Sequence, residues 1–275
     1  DTGDTCKGCS DGTIISIPAT EPAEVIETPC EQLKNTANKT VYKVDQSTTT
    51  EKQLLTEIKN DVQPTGSCYS SGDENGNVVI RENNTNMVLP FHTDSLSVGL
   101  SPFNLTDANN VALNISTFMH THGTPHYSVP SLDDIHSIYA MLNSGNINDT
   151  NNFTFYILSA YGTVYALRIE DKNAFVSWGD AFFGGTAWDT SGAIGNTIKD
   201  MRNDQFREAG VIVPKNVPNF NTSTYVQTSE KGLAKFLKTS GNNGIGLYRC
   251  YDSNFNNWSK IEINSSGQKI ATPCP

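Results

Sequence analysis

The chain of 275 residues has few basic residues and no long apolar segment. Nineteen Lys and Arg residues are outnumbered by 29 Asp and Glu residues, which gives a net charge of −10, and no run of basic residues occurs. Because such a chain repels a phosphate backbone, we expect no nucleic-acid partner. No segment reaches the roughly 18 consecutive apolar residues that cross a bilayer, so we expect no membrane span.

The sequence also lacks a second C-x-x-C motif to accompany Cys6 and Cys9. An even number of cysteines spread over loop-like sequence favours disulfides in an oxidising compartment, and a zinc knot at Cys6 and Cys9 is the alternative. The chain begins at Asp1 without a signal peptide, which is typical of a mature, processed protein. We therefore expect a secreted, periplasmic or cell-surface protein. The cysteines are Cys6, Cys9, Cys30, Cys68, Cys250 and Cys274.

Three regions follow one another along the chain. Residues 1–39 are rich in Gly, Pro and Thr and predict an extended arm that its cysteines tie down. Residues 40–170 alternate helix, hairpin and strand patterns, and the turn-forming sequence GDENGN places the hairpin turn around residues 74–75. Residues 171–275 add helices and strands of unknown role. This order predicts an α+β fold with a mixed sheet flanked by helices and a further C-terminal α+β region.

Histidine is scarce, and four of the five histidines lie within residues 120–136. His120 and His122 alternate at the end of a predicted strand, so both imidazoles lie on one face. Ser131 and Asp134 begin the next predicted helix, where they also suit a helix cap and a dipole partner. Two imidazoles and a carboxylate leave one position open on a zinc ion, which is typical of a catalytic site.

The pattern H-T-H, a short loop and P-S-x-x-D resembles the HxH…SxxD signature of the JAB/MPN (JAMM) zinc metalloproteases. The resemblance covers about residues 40–170 and implies a JAB/MPN-like, cytidine-deaminase-like mixed sheet. It implies Zn²⁺ held by His120, His122 and Asp134, with Ser131 as the stabiliser of the oxyanion. It further implies hydrolysis of an amide or isopeptide bond in a peptide or protein substrate.

Two details refine this resemblance. A C-x-Q-L-K segment from Cys30 to Lys34 is similar to one in secreted Bacteroidetes members of the family. The loop between His122 and Ser131 holds eight residues, one more than the commoner spacing, and it begins HTHG instead of HTHP. Loops absorb single insertions readily, so the site is expected to tolerate this one.

The family's general base does not lie at its expected place. The family uses a Glu at the start of the first hairpin strand, and residues 63–67 (QPTGS) contain no carboxylate. If the hairpin turns around residues 74–75, Glu82 pairs across from Ser67 and becomes the candidate base, with Glu57 as the weaker one.

Two other functional classes stay open at this point. Without a base, the chain would be a non-catalytic zinc-containing binding module, and without a metal it would be a disulfide-stabilised structural or interaction protein. No Ser-His-Asp signature, phosphate-binding glycine loop or paired-carboxylate glycosidase motif competes with the zinc hypothesis.

Overall fold

A computed structural model describes residues 27–35, 39–43, 45–70, 73–82, 85–93, 106, 111–185, 188, 192–212 and 221–275. Within these residues the chain forms six helices and ten strands. In chain order they are α1 (Pro29–Asn35), β1 (Thr40–Tyr42), β2 (Thr48–Thr50), α2 (Glu51–Asp61), β3 (Glu74–Glu82), β4 (Thr85–Thr93), β5 (Ile115–His122), α3 (Leu132–Asn143), β6 (Thr154–Ser159), β7 (Val164–Ile169), α4 (Lys172–Phe183), α5 (Ala193–Glu208), α6 (Thr222–Thr239), β8 (Ile245–Cys250), β9 (Trp258–Ile263) and β10 (Lys269–Pro273).

All ten strands belong to one mixed sheet, in the order β10-β9-β8-β7-β6-β5-β3-β4-β1-β2. The predicted α+β class with a mixed sheet is therefore confirmed. Strand β5 lies inside the sheet, antiparallel to β3 and parallel to β6. Because α3 connects β5 to β6, its first turn lies near the carboxyl ends of both strands, which is where open α/β sheets bind their ligands.

Apolar side chains cover both faces of the sheet. One cluster packs α3, α4, α5 and α6 against one face, through residues such as Ile135, Phe175 and Leu233. The other packs α1 and α2 against the opposite face, through residues such as Leu33 and Leu55. Helices α2, α3 and α6 each bury an apolar stripe, as the helical spacing of their apolar residues predicts, whereas α5 packs mainly on α4 and α6.

The predicted C-terminal region continues the same sheet. Strand β8 pairs with β7 from Val164↔Cys250 to Ile169↔Ile245, and β9 and β10 follow beyond it. A disulfide joins Cys30 to Cys274, so the expectation of disulfides is confirmed for these two of the six cysteines. Cys68 and Cys250 are free thiols, whereas Cys6 and Cys9 lie outside the described residues. No helix in the described ranges is both long and apolar enough to cross a membrane.

The hairpin turn predicted around residues 74–75 is wrong. Strand β3 begins at Glu74, and its pairing with β4 runs from Glu74↔Thr93 to Glu82↔Thr85. The glycine that suggested a turn has a packing role, because a Cβ on Gly76 would lie 2.3 Å from the Met119 carbonyl oxygen. Glycine here permits close approach of two strands.

Candidate metal centre

Strand β5 brings the two histidines to the centre of the fold. Every residue of β5 is buried, and His120 and His122 are only 3% and 2% exposed. Their rings follow Phe118 on the face that α3 covers, since Phe118 belongs to the apolar cluster on that side. The alternation predicted from the sequence therefore places both imidazoles on one face.

The first turn of α3 presents the carboxylate. Ser131 is the N-cap, and its hydroxyl accepts a hydrogen bond of 3.1 Å from the Asp134 backbone N–H. The Ser131 backbone N–H and hydroxyl donate in return to Asp134 Oδ2, at 2.6 and 2.9 Å. This reciprocal capping box starts the helix and fixes the orientation of the Asp134 carboxylate.

The ligand atoms of the three residues converge. His120 Nε2 lies 3.0 Å from Asp134 Oδ1, His122 Nε2 lies 3.4 Å from Asp134 Oδ2, and the two Nε2 atoms lie 3.1 Å apart. Donor atoms about 2.0–2.1 Å from a tetrahedral ion are roughly 3.3 Å from one another. The separations among these atoms therefore suit a shared metal ion.

The tautomer of His122 is fixed by the backbone. His122 Nδ1 lies 3.1 Å from the Tyr127 carbonyl oxygen, which can only accept, so Nδ1 carries the hydrogen and Nε2 faces the site. Metal-ligating histidines commonly have such a partner on the second nitrogen. His120 differs, because its buried Nδ1 has no hydrogen-bond partner among the described residues.

The charges of the three side chains are strongly coupled. Burial alone raises the pKa of Asp134, but the neighbouring His120 and His122 hold it well below its usual range. Burial alone lowers the pKa of His122, but the Asp134 carboxylate raises it to about 9. The carboxylate is therefore ionised, and it favours positive charge at His122 or on a metal ion beside it.

A second carboxylate, Glu74, approaches the same point. Glu74, His120 and His122 each offer one ligand atom, and these atoms all lie within 4.8 Å of one another, so the three residues can bind one metal ion. Sheet pairing explains the proximity, because Gly76 is opposite His120 and the Asn75 N–H donates to Thr121 Oγ1 at 2.9 Å. Glu74 is half-buried, whereas both histidines are fully buried.

The two carboxylates chosen from the sequence lie elsewhere. Glu82 pairs with Thr85 at the closed end of the hairpin, six positions from Gly76, which is roughly 20 Å along a strand. Glu57 lies on α2, on the opposite face of the sheet, where its carboxylate is 3.2 Å from Lys43 Nζ and half-exposed. Strand β3 therefore carries Glu82 far from the histidines, and α2 carries Glu57 on the other face. Sequence reasoning missed Glu74 because it assigned GDENGN to a turn, although Glu74 begins the first hairpin strand.

The loop between β5 and α3 is held in place by other elements. The Ser128 N–H donates to the Tyr225 hydroxyl of α6 at 3.0 Å, and the Thr163 hydroxyl donates to the Ser128 carbonyl at 2.6 Å. Tyr161 also donates to the Thr124 carbonyl. This loop carries the Tyr127 carbonyl, so the C-terminal helix α6 helps to set the orientation of His122.

The two remaining histidines of the group differ in environment. The His126 ring is 5.8 Å from that of His122, at the side of the site. His136 is buried among Phe183 and Trp188, and burial lowers its pKa to about 4, so it packs as a neutral aromatic side chain.

No protein-family model, curated protein or solved structure matches this chain.

Proposed function

We propose that the chain is a zinc-dependent metallopeptidase or isopeptidase of the JAB/MPN type. His120, His122 and Asp134 would hold the zinc, and Glu74, not Glu82, would be the general base. The observation that carries this proposal is the position of Glu74. A carboxylate oxygen at the start of the first hairpin strand lies within 4.8 Å of one ring nitrogen of each histidine, which is the arrangement the family resemblance implies.

The donor set supports zinc. Imidazole and carboxylate ligands suit this ion, and three such ligands leave a coordination position open for a reactant. Zinc bound there supplies Lewis acidity, which polarises a carbonyl group and makes a water molecule more acidic. The capping box around Asp134 and the Tyr127 carbonyl at His122 orient two of the ligands in advance.

The residues of the chain then divide the proton transfer and the charge stabilisation. The Glu74 carboxylate accepts a proton from the attacking water and returns it to the leaving amine. The Ser131 hydroxyl is expected to donate to the oxyanion. In the structure this hydroxyl donates to Asp134 at 2.9 Å, so the oxyanion role requires it to rotate away from the carboxylate. Ser131 therefore has a positioning role as well.

The compartment is part of the same proposal. The Cys30–Cys274 disulfide supports an oxidising environment and hence a secreted, periplasmic or cell-surface protein, because disulfides are rare in the reducing cytosol. A peptide or protein substrate follows from the class of reaction.

The decisive experiment compares two isosteric variants on the same hairpin strand. Purified chain loaded with zinc is assayed against a fluorogenic peptide library, and bound zinc is measured by elemental analysis. Glu74→Gln is expected to keep stoichiometric zinc and to lower turnover by roughly 10²–10⁴-fold, because it removes only the proton acceptor. Glu82→Gln is the matched control and should retain both zinc and activity.

Three results would contradict the proposal in different ways. Activity retained in Glu74→Gln and lost in Glu82→Gln would reverse the assignment of the base. Stoichiometric zinc without turnover of any peptide would favour the non-catalytic binding module. Absence of zinc from protein purified without chelators would favour a structural protein.

A further inference from the structure

A second polar site lies at the C-terminal end of the sheet, around a buried carboxylate. Glu230 of α6 is fully buried. Its Oε2 accepts hydrogen bonds from Arg249 Nη1 at 2.6 Å and from the Tyr165 hydroxyl at 2.7 Å, and its Oε1 accepts one from Lys269 Nζ. We call Glu230, Arg249, Lys269 and Tyr165 the Glu230 cluster. Two cations surround one carboxylate, so the cluster has a net positive charge.

The surplus charge faces a cavity. A cavity of about 570 Å³ is lined by Arg249 and Lys269, and none of its lining residues is acidic. This is unusual for a chain with a net charge of −10. The carboxylate that balances part of this charge, Glu230, lies beneath the cavity and does not line it. An anion in the cavity would therefore meet two cations and no opposing carboxylate on the wall.

Arg249 is oriented by its surroundings and retains unused hydrogen-bonding capacity. Its guanidinium carbon lies 4.8 Å from the centre of the Tyr251 ring, and Nη1 is held by Glu230. Its buried Nε has no hydrogen-bond partner among the described residues. Guanidinium groups donate pairs of parallel hydrogen bonds to carboxylate and phosphate oxygens. The Arg249 side chain is 20% exposed, and an oxyanion in the cavity would contact this exposed part of it.

The remainder of the wall adds neutral donors and an aromatic surface. The first two residues of α6, Thr222 and Ser223, line the cavity, and the start of a long helix carries partial positive charge. Gln227 supplies an amide one turn further along. Tyr251 is 47% exposed and offers a ring to the apolar body of a ligand. The cavity is also larger than a single oxyanion needs, so it suits an organic anion.

We propose that this cavity binds an organic anion, through a carboxylate or phosphate group placed between Arg249 and Lys269. The site does not depend on the metallopeptidase proposal. Arg249 pairs in register with Tyr165, whose ring belongs to the apolar cluster beneath α3 to α6, so the cavity opens on the same face of the sheet as the metal centre. Strands β5 and β8 are three positions apart, which separates the two sites by roughly 14 Å.

The test is a calorimetric titration of the full chain with two probes at low ionic strength. One probe is inorganic phosphate, and the other is an N-acetylated diglutamate peptide, with chloride at matched ionic strength as the blank. Lys269→Gln removes one cation but leaves Glu230 paired with Arg249 and Tyr165. Gln227→Glu introduces an acidic group at an exposed position of the wall, so it preserves folding if Lys269→Gln does not.

The matched control is Thr228→Glu, which adds the same charge to an exposed position of the same helix that does not line the cavity. We expect saturable binding of at least one probe, weakened about tenfold in Lys269→Gln and in Gln227→Glu, and within about twofold of the unmodified chain in Thr228→Glu. The probe that binds more tightly identifies the anion as phosphate or carboxylate. Failure of both probes to bind, or binding unaffected by both cavity variants, would overturn the proposal. Binding that neither cavity variant affects would be the result if the probe bound at the metal centre instead.

Discussion

The metal centre and the Glu230 cluster are both buried groups of ionisable side chains on the same face of one sheet, yet they differ in how their charge is balanced. Glu230 has three donors from the protein itself, Arg249, Lys269 and Tyr165. Although burial alone raises the pKa of Glu230, Lys269 and Arg249, with the Tyr165 hydrogen bond, hold it below its ordinary value.

At the metal centre, by contrast, Asp134 faces two imidazoles whose Nε2 atoms are 3.1 Å apart. The Nδ1 of His122 donates a hydrogen bond to the Tyr127 carbonyl. The Nδ1 of His120 has no hydrogen-bond partner among the described residues. A buried carboxylate is stable when cations or donors surround it. The Glu230 carboxylate therefore has its counter-charges within the chain, whereas the candidate metal centre could bind a cation from outside.

The largest expected difference between the two groups appears on removal of metal. With free zinc at a thousand times its dissociation constant, binding stabilises the folded state by about 4 kcal/mol. A chelator should remove this contribution from the unmodified chain and from Lys269→Gln, and should have no effect on His122→Ala. Urea unfolding with and without chelator measures it. An equal response of the unmodified chain and His122→Ala would show that these ligands hold no metal.

The Glu230 cluster is expected to be sensitive to loss of a protein cation instead. Arg249→Met leaves the buried Glu230 carboxylate with fewer partners, and breaking such a pair costs about 3 kcal/mol. Replacing Glu230 and Arg249 together by Met should cost less, because no uncompensated carboxylate is left behind. Chemical denaturation of the three proteins measures this. If the double variant is the least stable, charge pairing with Arg249 is not what stabilises the buried Glu230.

Removal of the cap at the metal centre should have a smaller effect. Ser131→Ala deletes the hydroxyl that accepts from the Asp134 N–H, and loss of such an N-cap costs about 1 kcal/mol of unfolding free energy. Ser131→Thr keeps a capping hydroxyl and is the matched control. Thermal unfolding of the chelated proteins isolates this term from metal binding. If Ser131→Ala melts at the same temperature as the unmodified chain, the capping box does not stabilise the fold.

A third buried carboxylate, Glu51, is intermediate between the two and gives the smallest expected effect. One oxygen accepts from the Thr117 hydroxyl at 2.9 Å, and the other has no partner among the described residues. Burial raises the pKa of Glu51, with Lys39, Thr117 and Arg168 opposing it. A folded-state pKa above the unfolded value costs stability as the pH rises through the folded pKa.

Glu51→Gln does not titrate, so it should gain about 0.5–1 kcal/mol over the unmodified chain near pH 8 and lose this advantage as the pH falls towards the ordinary range of glutamate. Paired denaturation curves at several pH values measure the difference. A constant difference across that range would mean that the pKa of Glu51 is the same in both states.

The sequence by itself determined the elements that depend on local pattern. The apolar run ending at His122, the cap at Ser131 and the spacing of apolar residues in α2 and α3 are local properties, and the structure has a strand or a helix at each of these places. Strand alternation alone places the side chains of His120 and His122 on one face. The position of Asp134 could be predicted for the same reason, since it lies one turn into a helix whose start is encoded locally.

Only the tertiary structure decided which other residues lie next to these locally encoded elements. Local propensity assigned GDENGN to a turn, but pairing with β4 and β5 places residues 74–77 in strand β3 and brings Glu74, not Glu82, to the histidines. The same holds for Arg249 and Lys269, which come from separate strands and meet only around Glu230. Strand register and close backbone approach are long-range properties, so a sequence pattern read over a few residues cannot fix them.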